Sequence, residues 1–290
     1  MMEYLYYPGC SLKATSKAYF ESINAISAPL DVKFKELEDW NCCGASLYMG
    51  INELTSFALC SRNLALAQKL GGTEIAVPCS GCYTLLRKTN KYLKEYPDIS
   101  EKIHKVLEPV GLTYNGDVKV RHLAEIIFND IGIEKIKKVV RRKLEGLNVA
   151  CFYGCLMVRP KGGVEDTEDP QSLELLVKAL GANPIYFPAK VRCCGAASVG
   201  LGEKVGLRMV RDLLICARDN HADLMVVTCP LCHMNLDVYQ NMVKKEYDLN
   251  FTLPILYFTQ LMGIAFGINK DSLGFKSLIV PAEPVVSKYL

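Results

Sequence analysis

Ten of the thirteen cysteines fall into one pattern that occurs twice. Cys10 is followed by the adjacent pair Cys42-Cys43 and then by Cys79-x-x-Cys82; Cys155 is followed by Cys193-Cys194 and then by Cys229-x-x-Cys232. The spacings are C-x31-CC-x35-C-x2-C and C-x37-CC-x34-C-x2-C. A Cys-x-x-Cys at a strand-to-helix turn offers two thiolates to one site, and the positive end of the helix lowers their pKa. Adjacent cysteines have Cα atoms about 3.8 Å apart. They reach two metal atoms or one shared edge, and serve an ordinary single-ion site poorly. Soft thiolates select iron–sulfur clusters, zinc or Cu(I). A conventional iron–sulfur cluster takes four cysteines, so five in each repeat implies an unusual ligand set. Charge points the same way. The chain carries +3 with neutral thiols, and ten thiolates would take it to −7. A folded interior sustains that only with bound cations or strongly basic surroundings.

The elements that position these residues are also repeated. Tyr6-Tyr7-Pro8-Gly9-Cys10 aligns with Cys151-Phe152-Tyr153-Gly154-Cys155, and Asn41-Cys42-Cys43-Gly44-Ala45 with Arg192-Cys193-Cys194-Gly195-Ala196. Val77 to Cys82 aligns with Val227 to Cys232, and more weakly Val120 to Glu125 with Ile255 to Gln260. Register shifts of 145, 151 and 150 residues describe a duplicated domain, not a solenoid of short units. We therefore expect halves at 1–145 and 146–290, with the basic helix Glu134–Leu144 near the seam. β-rich runs at 4–7, 74–77, 118–120, 148–152, 224–228 and 253–257 precede helical patterns such as 54–70, 207–217 and 171–180. Asp169-Pro170 reads as the N-cap and first-turn pair of the last. The expected fold class is α/β: two pseudo-symmetric, duplicated halves with mainly parallel sheets. In such sheets ligands gather at the carboxyl ends of strands, where Cys10, Cys79, Cys155 and Cys229 fall. Metal clusters are expected there.

Several function classes are excluded or weakened. A disulfide-stapled secreted domain would be shorter and richer in cysteine, and the N-terminus has neither a basic nor an apolar signal region; a cytoplasmic chain is expected. The surplus of +3 and the absence of interleaved aromatics in the basic helix argue against nucleic acid. Phe251 to Ile268 is uncharged, but Pro254, Thr252, Thr259 and Gln260 interrupt it, so it reads as a buried strand running into a buried helix rather than a membrane span. Gly200, Gly202 and Gly206 miss the dinucleotide-binding spacing by one residue. No C-x2-C-x2-C-x3-C-P run is present for a cubane relay, so electrons are expected from another chain. Cys60 and Cys216 occupy non-equivalent places in the repeat and read as packing thiols, as does Cys151, although it lies only four residues from Cys155. A thioredoxin-like dithiol at Cys79/Cys82, or structural zinc, above all in the second half, are alternatives.

With these motifs in hand, the chain resembles the cysteine-rich CCG domain family and, within it, the B subunits of CoB–CoM heterodisulfide reductase. Tyr7-Pro8-Gly9-Cys10, Trp40 to Ala45, Phe152 to Cys155 with Arg159-Pro160, Asp169 to Glu174 and Cys193-Cys194-Gly195 carry the match, which runs from residue 4 to about 265. The resemblance implies a non-cubane [4Fe–4S] cluster in each half. The ligands would be Cys10, Cys42, Cys43, Cys79 and Cys82, and Cys155, Cys193, Cys194, Cys229 and Cys232. It also implies halves that face one another, with the substrate CoM–S–S–CoB cleaved between the clusters to two thiols. A cubane-cluster C subunit and a flavin-containing A subunit would be the partners. The anionic substrate calls for cations near the cluster loops: Lys13, Arg87, Arg159, Lys161 and Arg192 are the candidates. His233, beside Cys232, is a candidate proton donor. A CCG-type subunit of a succinate–quinone reductase or other CCG oxidoreductase, and a zinc-binding scaffold subunit, are the rival readings.

Overall fold

The computed structural model describes residues 1–45, 48–159, 165–199 and 202–290. Contacts divide the chain into two units, Met1–Cys10 with Val32–Ile126 and Ser11–Asp31 with Ile127–Leu290.

The first unit is built on four parallel strands, β1 (Met2–Tyr6), β2 (Val32–Glu36), β3 (Glu74–Val77) and β4 (Lys119–His122). Their order in the sheet is β2-β1-β3-β4. The β3 residues Ile75, Ala76 and Val77 are all buried, as a central parallel strand covered on both faces requires. β2 alternates instead, with Lys33 and Lys35 facing out and solvating the sheet edge. The Glu53–Lys69 helix is capped by Asn52, whose side chain accepts from the Thr55 N–H at 3.2 Å. Ser80–Glu95 and Pro97–Leu107 follow β3, the latter opened by Pro97 in its first turn.

The second unit repeats the plan. β5 (Asn148–Phe152), β6 (Asn183–Pro184), β7 (Leu224–Val227) and β8 (Ile255–Tyr257) are parallel and ordered β6-β5-β7-β8. All four residues of β7 are buried. Its helices include Ser172–Ala179, Glu203–Asp219, Pro230–Val238 and Phe258–Ala265. Lys17–Ser27 also belongs to this unit. Ser22 Oγ and Thr259 Oγ1 share a 2.6 Å hydrogen bond, and the Tyr19 ring stacks on Tyr257 at 4.1 Å. The two sheets are thus built alike, strand for strand, and the weaker match of Val120–Glu125 with Ile255–Gln260 falls on β4 and β8.

In both sheets the strand order reverses direction at the two middle strands. The crevice beyond their carboxyl ends is where open α/β sheets hold ligands. Cys10 and Cys79 follow β1 and β3; Cys155 and Cys229 follow β5 and β7.

Three local expectations are corrected. The basic helix runs only over Ile133–Val139: the Arg141 and Arg142 N–H groups donate to the Ala265 carbonyl at 2.9 and 3.0 Å, which takes the chain off the helical path. The Ser172–Ala179 helix is not opened by Asp169-Pro170. The Glu165 carboxylate accepts from the Gln171 and Ser172 N–H groups at 2.6 and 2.8 Å, placing negative charge at the helix start. β2 and β6 are additional strands, β6 being two residues long with a proline, which suits an edge. The uncharged stretch after Phe251 is β8 running into a fully buried helix. Among the described residues no helix is long and apolar enough to cross a membrane.

Candidate metal centres

β1 ends at Tyr6, and the chain turns through Gly9 with φ +73° before Cys10. A Cβ at Gly9 would lie 3.2 Å from Cys82 Sγ, so glycine is required on both backbone and steric grounds. The loop carrying the cysteine pair is hooked at Asn41. The buried Asn63 accepts from the Asn41 N–H and donates to its carbonyl, both at 2.8 Å, and the Tyr7 hydroxyl donates to the same carbonyl at 2.9 Å. Beyond the pair the Gly44 N–H donates to Cys42 Sγ at 3.4 Å, and the Ala45 N–H to the Cys43 sulfur. Cys79 is the N-cap of the Ser80–Glu95 helix, with Cys82 in its first turn. Cys10 and Cys42 sulfurs lie 3.7 Å apart and Cys43 and Cys82 sulfurs 3.1 Å apart. Cys42 with Cys43, and Cys79 with Cys82, are also in S–H contact. Five sulfurs therefore form one run of neighbours, in the order 10, 42, 43, 82, 79.

The second unit assembles the same run: 155, 193, 194, 232, 229. Gly154, at φ +70°, would place a Cβ 3.1 Å from Cys232 Sγ. The Gly195 N–H donates to Cys193 Sγ at 3.4 Å, and the Ala196 N–H to the Cys194 sulfur. The buried Asn235 fixes the loop from the other side, donating to the Cys194 carbonyl at 2.6 Å. Beneath Cys155 lies a polar network. The Lys190 carbonyl accepts from the Tyr153 and Gly154 N–H groups at 2.9 and 3.1 Å. Its ammonium donates to the Pro170 carbonyl at 2.7 Å and pairs with Glu174 at 3.1 Å, and Glu174 also accepts from the Tyr153 hydroxyl.

Burial follows one rule in both sets. Three thiols are inside, Cys43, Cys79 and Cys82 or Cys194, Cys229 and Cys232, and the other two are less buried, Cys10 and Cys42 exposed and Cys155 and Cys193 partly so. S–H bonds from Cys42 and Cys82 hold the Cys43 thiol down at about 4, and those from Cys155 and Cys194 hold Cys193 at about 2. The donors are pushed up, first by the bonds they give and further by burial, Cys194 to about 12. Each set shares its protons as a group, and ionising it further needs cationic charge at the sulfurs. Among the described residues no three His, Cys, Asp or Glu side chains converge on one ion position. The donor set suits a polynuclear thiophilic centre: five sulfurs spread along a loop, a helix N-terminus and backbone N–H groups aimed at sulfur.

The other singled-out residues are placed as follows. Arg159 is exposed, and its charge reaches Cys155 and Cys193. Arg87 donates to the Tyr83 hydroxyl and lies over that ring at 5.1 Å. Arg192 is exposed and its charge acts on Cys216; Lys13 is exposed. Lys161 lies outside the described residues. His233 is buried, stacks on Tyr257 at 4.2 Å and gives its Nε2 proton to the Ile255 carbonyl at 3.0 Å. Burial lowers its pKa to about 4. Cys60 is buried behind the first set, 3.4 Å from the Cys43 carbonyl, and Cys151 lies buried in β5. Sequence reasoning missed Asn63, Asn235, Lys190 and His122. The weak fourth match of the repeat was the one signal that pointed near His122.

Comparison with known proteins bears on the same residues. The cysteine-rich domain (CCG) family matches residues 4–87 and 149–237, which span both sets. The chain is 33% identical over 282 residues to the 8-methylmenaquinol:fumarate reductase membrane anchor subunit of Wolinella succinogenes, covering 97% of this chain and 98% of that one. It is 33% identical over 255 residues to the B subunit of the ferredoxin/F420H2-dependent CoB–CoM heterodisulfide reductase of Methanosarcina acetivorans, covering 85% and 83%. A crystal structure of a hypothetical protein from Helicobacter pylori superposes with a TM-score of 0.75 at 16% identity, covering 97% of this chain and 53% of that one. That likeness is one of fold.

Proposed function

The chain belongs to the cysteine-rich domain (CCG) family, and we propose that it is the catalytic subunit of a heterodisulfide reductase complex with a non-cubane [4Fe–4S] cluster on each set of five cysteines. One observation carries this reading: each sheet gathers five sulfurs, in the same order, at the reversal of its strand order. The relationship to the B subunit of a CoB–CoM heterodisulfide reductase supports CoM–S–S–CoB as substrate. The reaction takes up two electrons and two protons, breaks the S–S bond and releases CoM-SH and CoB-SH. When bound, each cluster would supply one electron and an iron to which a product sulfur can bind.

The chain's own residues do the rest. Gly9 and Gly154 let the turn before the first cysteine of each set pass close to the Cys82 and Cys232 sulfurs without a Cβ in the way. The Gly44 and Gly195 N–H groups steady the outer thiolates of the cysteine pairs. Asn63 and Asn235 fix the pair loops, so the donor geometry is set before any metal enters. Arg159, whose charge reaches Cys155 and Cys193, is suited to hold an anionic group of the substrate. Electrons would arrive from a cubane-cluster C subunit served by a flavin-containing A subunit.

Anaerobic reconstitution tests the reading. The expected result is about four irons and four sulfides per cysteine set, with an EPR signal altered by CoM–S–S–CoB and turnover driven by a reduced viologen. Colourless protein holding one zinc per set would refute it. A second reading has a specific support: the fumarate reductase subunit aligns over nearly the whole length of both chains, and Tyr48 and Ile51, just beyond the first cysteine pair, are exposed. On that reading the electrons exchange with a quinone. Oxidation of a menaquinol analogue by the loaded complex, with no heterodisulfide turnover, would select it.

A further inference from the structure

Behind each thiol set lies a histidine–tyrosine ring pair, and the two residues have exchanged places. In the first unit Tyr83 follows Cys82 and meets His122 at the end of β4, with ring centroids 5.5 Å apart and planes at 87°. In the second, His233 follows Cys232 and meets Tyr257 at the end of β8, at 4.2 Å and 10°. The exchange alters where the imidazole proton goes. His122 Nδ1 accepts from the Ala124 N–H at 3.2 Å, so its proton is on Nε2, which lies 3.3 Å from Ser80 Oγ. Ser80 stands between Cys79 and Cys82 and is 1% exposed. A hydroxyl whose oxygen receives the imidazole proton keeps its own hydrogen to donate elsewhere in the turn.

The second unit has neither donor. Pro230 takes the place of Ser80, without N–H or hydroxyl, and His233 has given its proton to the Ile255 carbonyl. A separate difference runs the same way: Cys10 and Cys42 are exposed, whereas Cys155 and Cys193 are only partly so. Hydrogen bonds to the sulfurs and contact with water both stabilise the added negative charge of a reduced iron–sulfur centre, and so raise its potential. Arg159 acts in the opposite sense on the second set, but it is exposed and water screens it.

We propose that this exchange tunes the two sites apart, His122 acting through Ser80 to make the first set the more easily reduced. His122 is a positioning residue in this role, and the inference rests on the cluster reading above. The two centres are then filled in sequence, the first taking its electron before the second.

Potentiometric titration of the reconstituted holoprotein, followed by EPR, tests this, with iron and sulfide counted on every sample. Two components are expected. Ser80→Ala lowers the higher one by about tenfold in its reduction equilibrium, about 59 mV for one electron, and leaves the lower one in place. Pro230→Ser raises the lower one. His122→Phe reproduces Ser80→Ala, and the double variant shifts no further, because the two act as a unit. Should His122→Phe fail to fold, Ser80→Ala and Pro230→Ser still decide. Full iron with both components titrating together, or a Ser80→Ala shift that is absent or falls on the lower component, overturns the proposal and leaves the cluster reading standing. A wild-type protein that takes up no iron overturns both.

Discussion

At the scale of single residues, the glycines before Cys10 and Cys155 show how narrow the tolerance is. Both sit at positive φ, and a side chain at either meets a cysteine sulfur within 3.2 Å. Left-handed backbone costs a non-glycine residue about 1–2 kcal/mol; displacing the sulfur adds a loss of ligand geometry. We expect Gly9→Ala to strip iron from one set, leaving about half the total. Gly71 is the control: it has φ +74° with nothing within 4 Å of a Cβ, so Gly71→Ala should lower the melting temperature and retain all the iron. Loss of iron in the control would show that backbone strain alone empties the site.

At the scale of elements, two buried polar groups fasten parts of the second unit. Lys190 joins the loop before the cysteine pair to the Ser172–Ala179 helix and to the backbone leading into Cys155. Lys190→Met would leave the Glu174 carboxylate without its cation in a largely buried place. A loss of about 3–5 kcal/mol is expected by denaturant unfolding, largely recovered in Lys190→Met/Glu174→Leu. Asp237, on the Pro230–Val238 helix, accepts from the Ile279 and Val280 N–H groups at 2.8 and 3.0 Å and so fastens the C-terminal segment. Burial raises its pKa above the ordinary carboxylate value. The folded state therefore binds this proton more tightly than the unfolded chain. The associated stability is fully present below about pH 3.9, the unfolded value, and is lost as pH rises through the raised folded value. Relative to Asp237→Asn, the wild type's thermal stability should fall across that window. A wild type that instead gains on the variant with rising pH would contradict the sign.

At the scale of the whole molecule, the repeat supplies two cysteine sets, and on the proposed reading each would be a separate carrier for one two-electron reaction. Cys42→Ala and Cys193→Ala should each keep about half the iron of wild type, because each removes a donor from one set only. Each should also abolish heterodisulfide-dependent oxidation of a reduced viologen. Turnover that survives either change would mean that one set suffices. The near-identical plan of the two sheets does not make the sets equal. Ser80 against Pro230, and exposed against half-buried outer thiols, give them different surroundings on the same scaffold.

Much of this was legible in the amino-acid order. The fivefold cysteine pattern, its duplication, the β-rich runs before Cys10, Cys79, Cys155 and Cys229 and the buried helix after Tyr257 are written in spacing and local apolar periodicity, which act over a few residues. Tertiary structure alone decided which strands lie side by side, which sulfurs touch, and that the Lys17–Ser27 helix belongs by its contacts to the second unit. Tyr19, Ser22, Asn63 and Lys190 have no motif around them, and His122 has only the weak fourth match of the repeat. Each finds its role through a partner more than ten residues away, chosen because a buried polar group or ring must be satisfied where the chain happens to bring one. Local preference sets the elements; the competition to bury and pair their surfaces selects one arrangement, and no short window of sequence contains it.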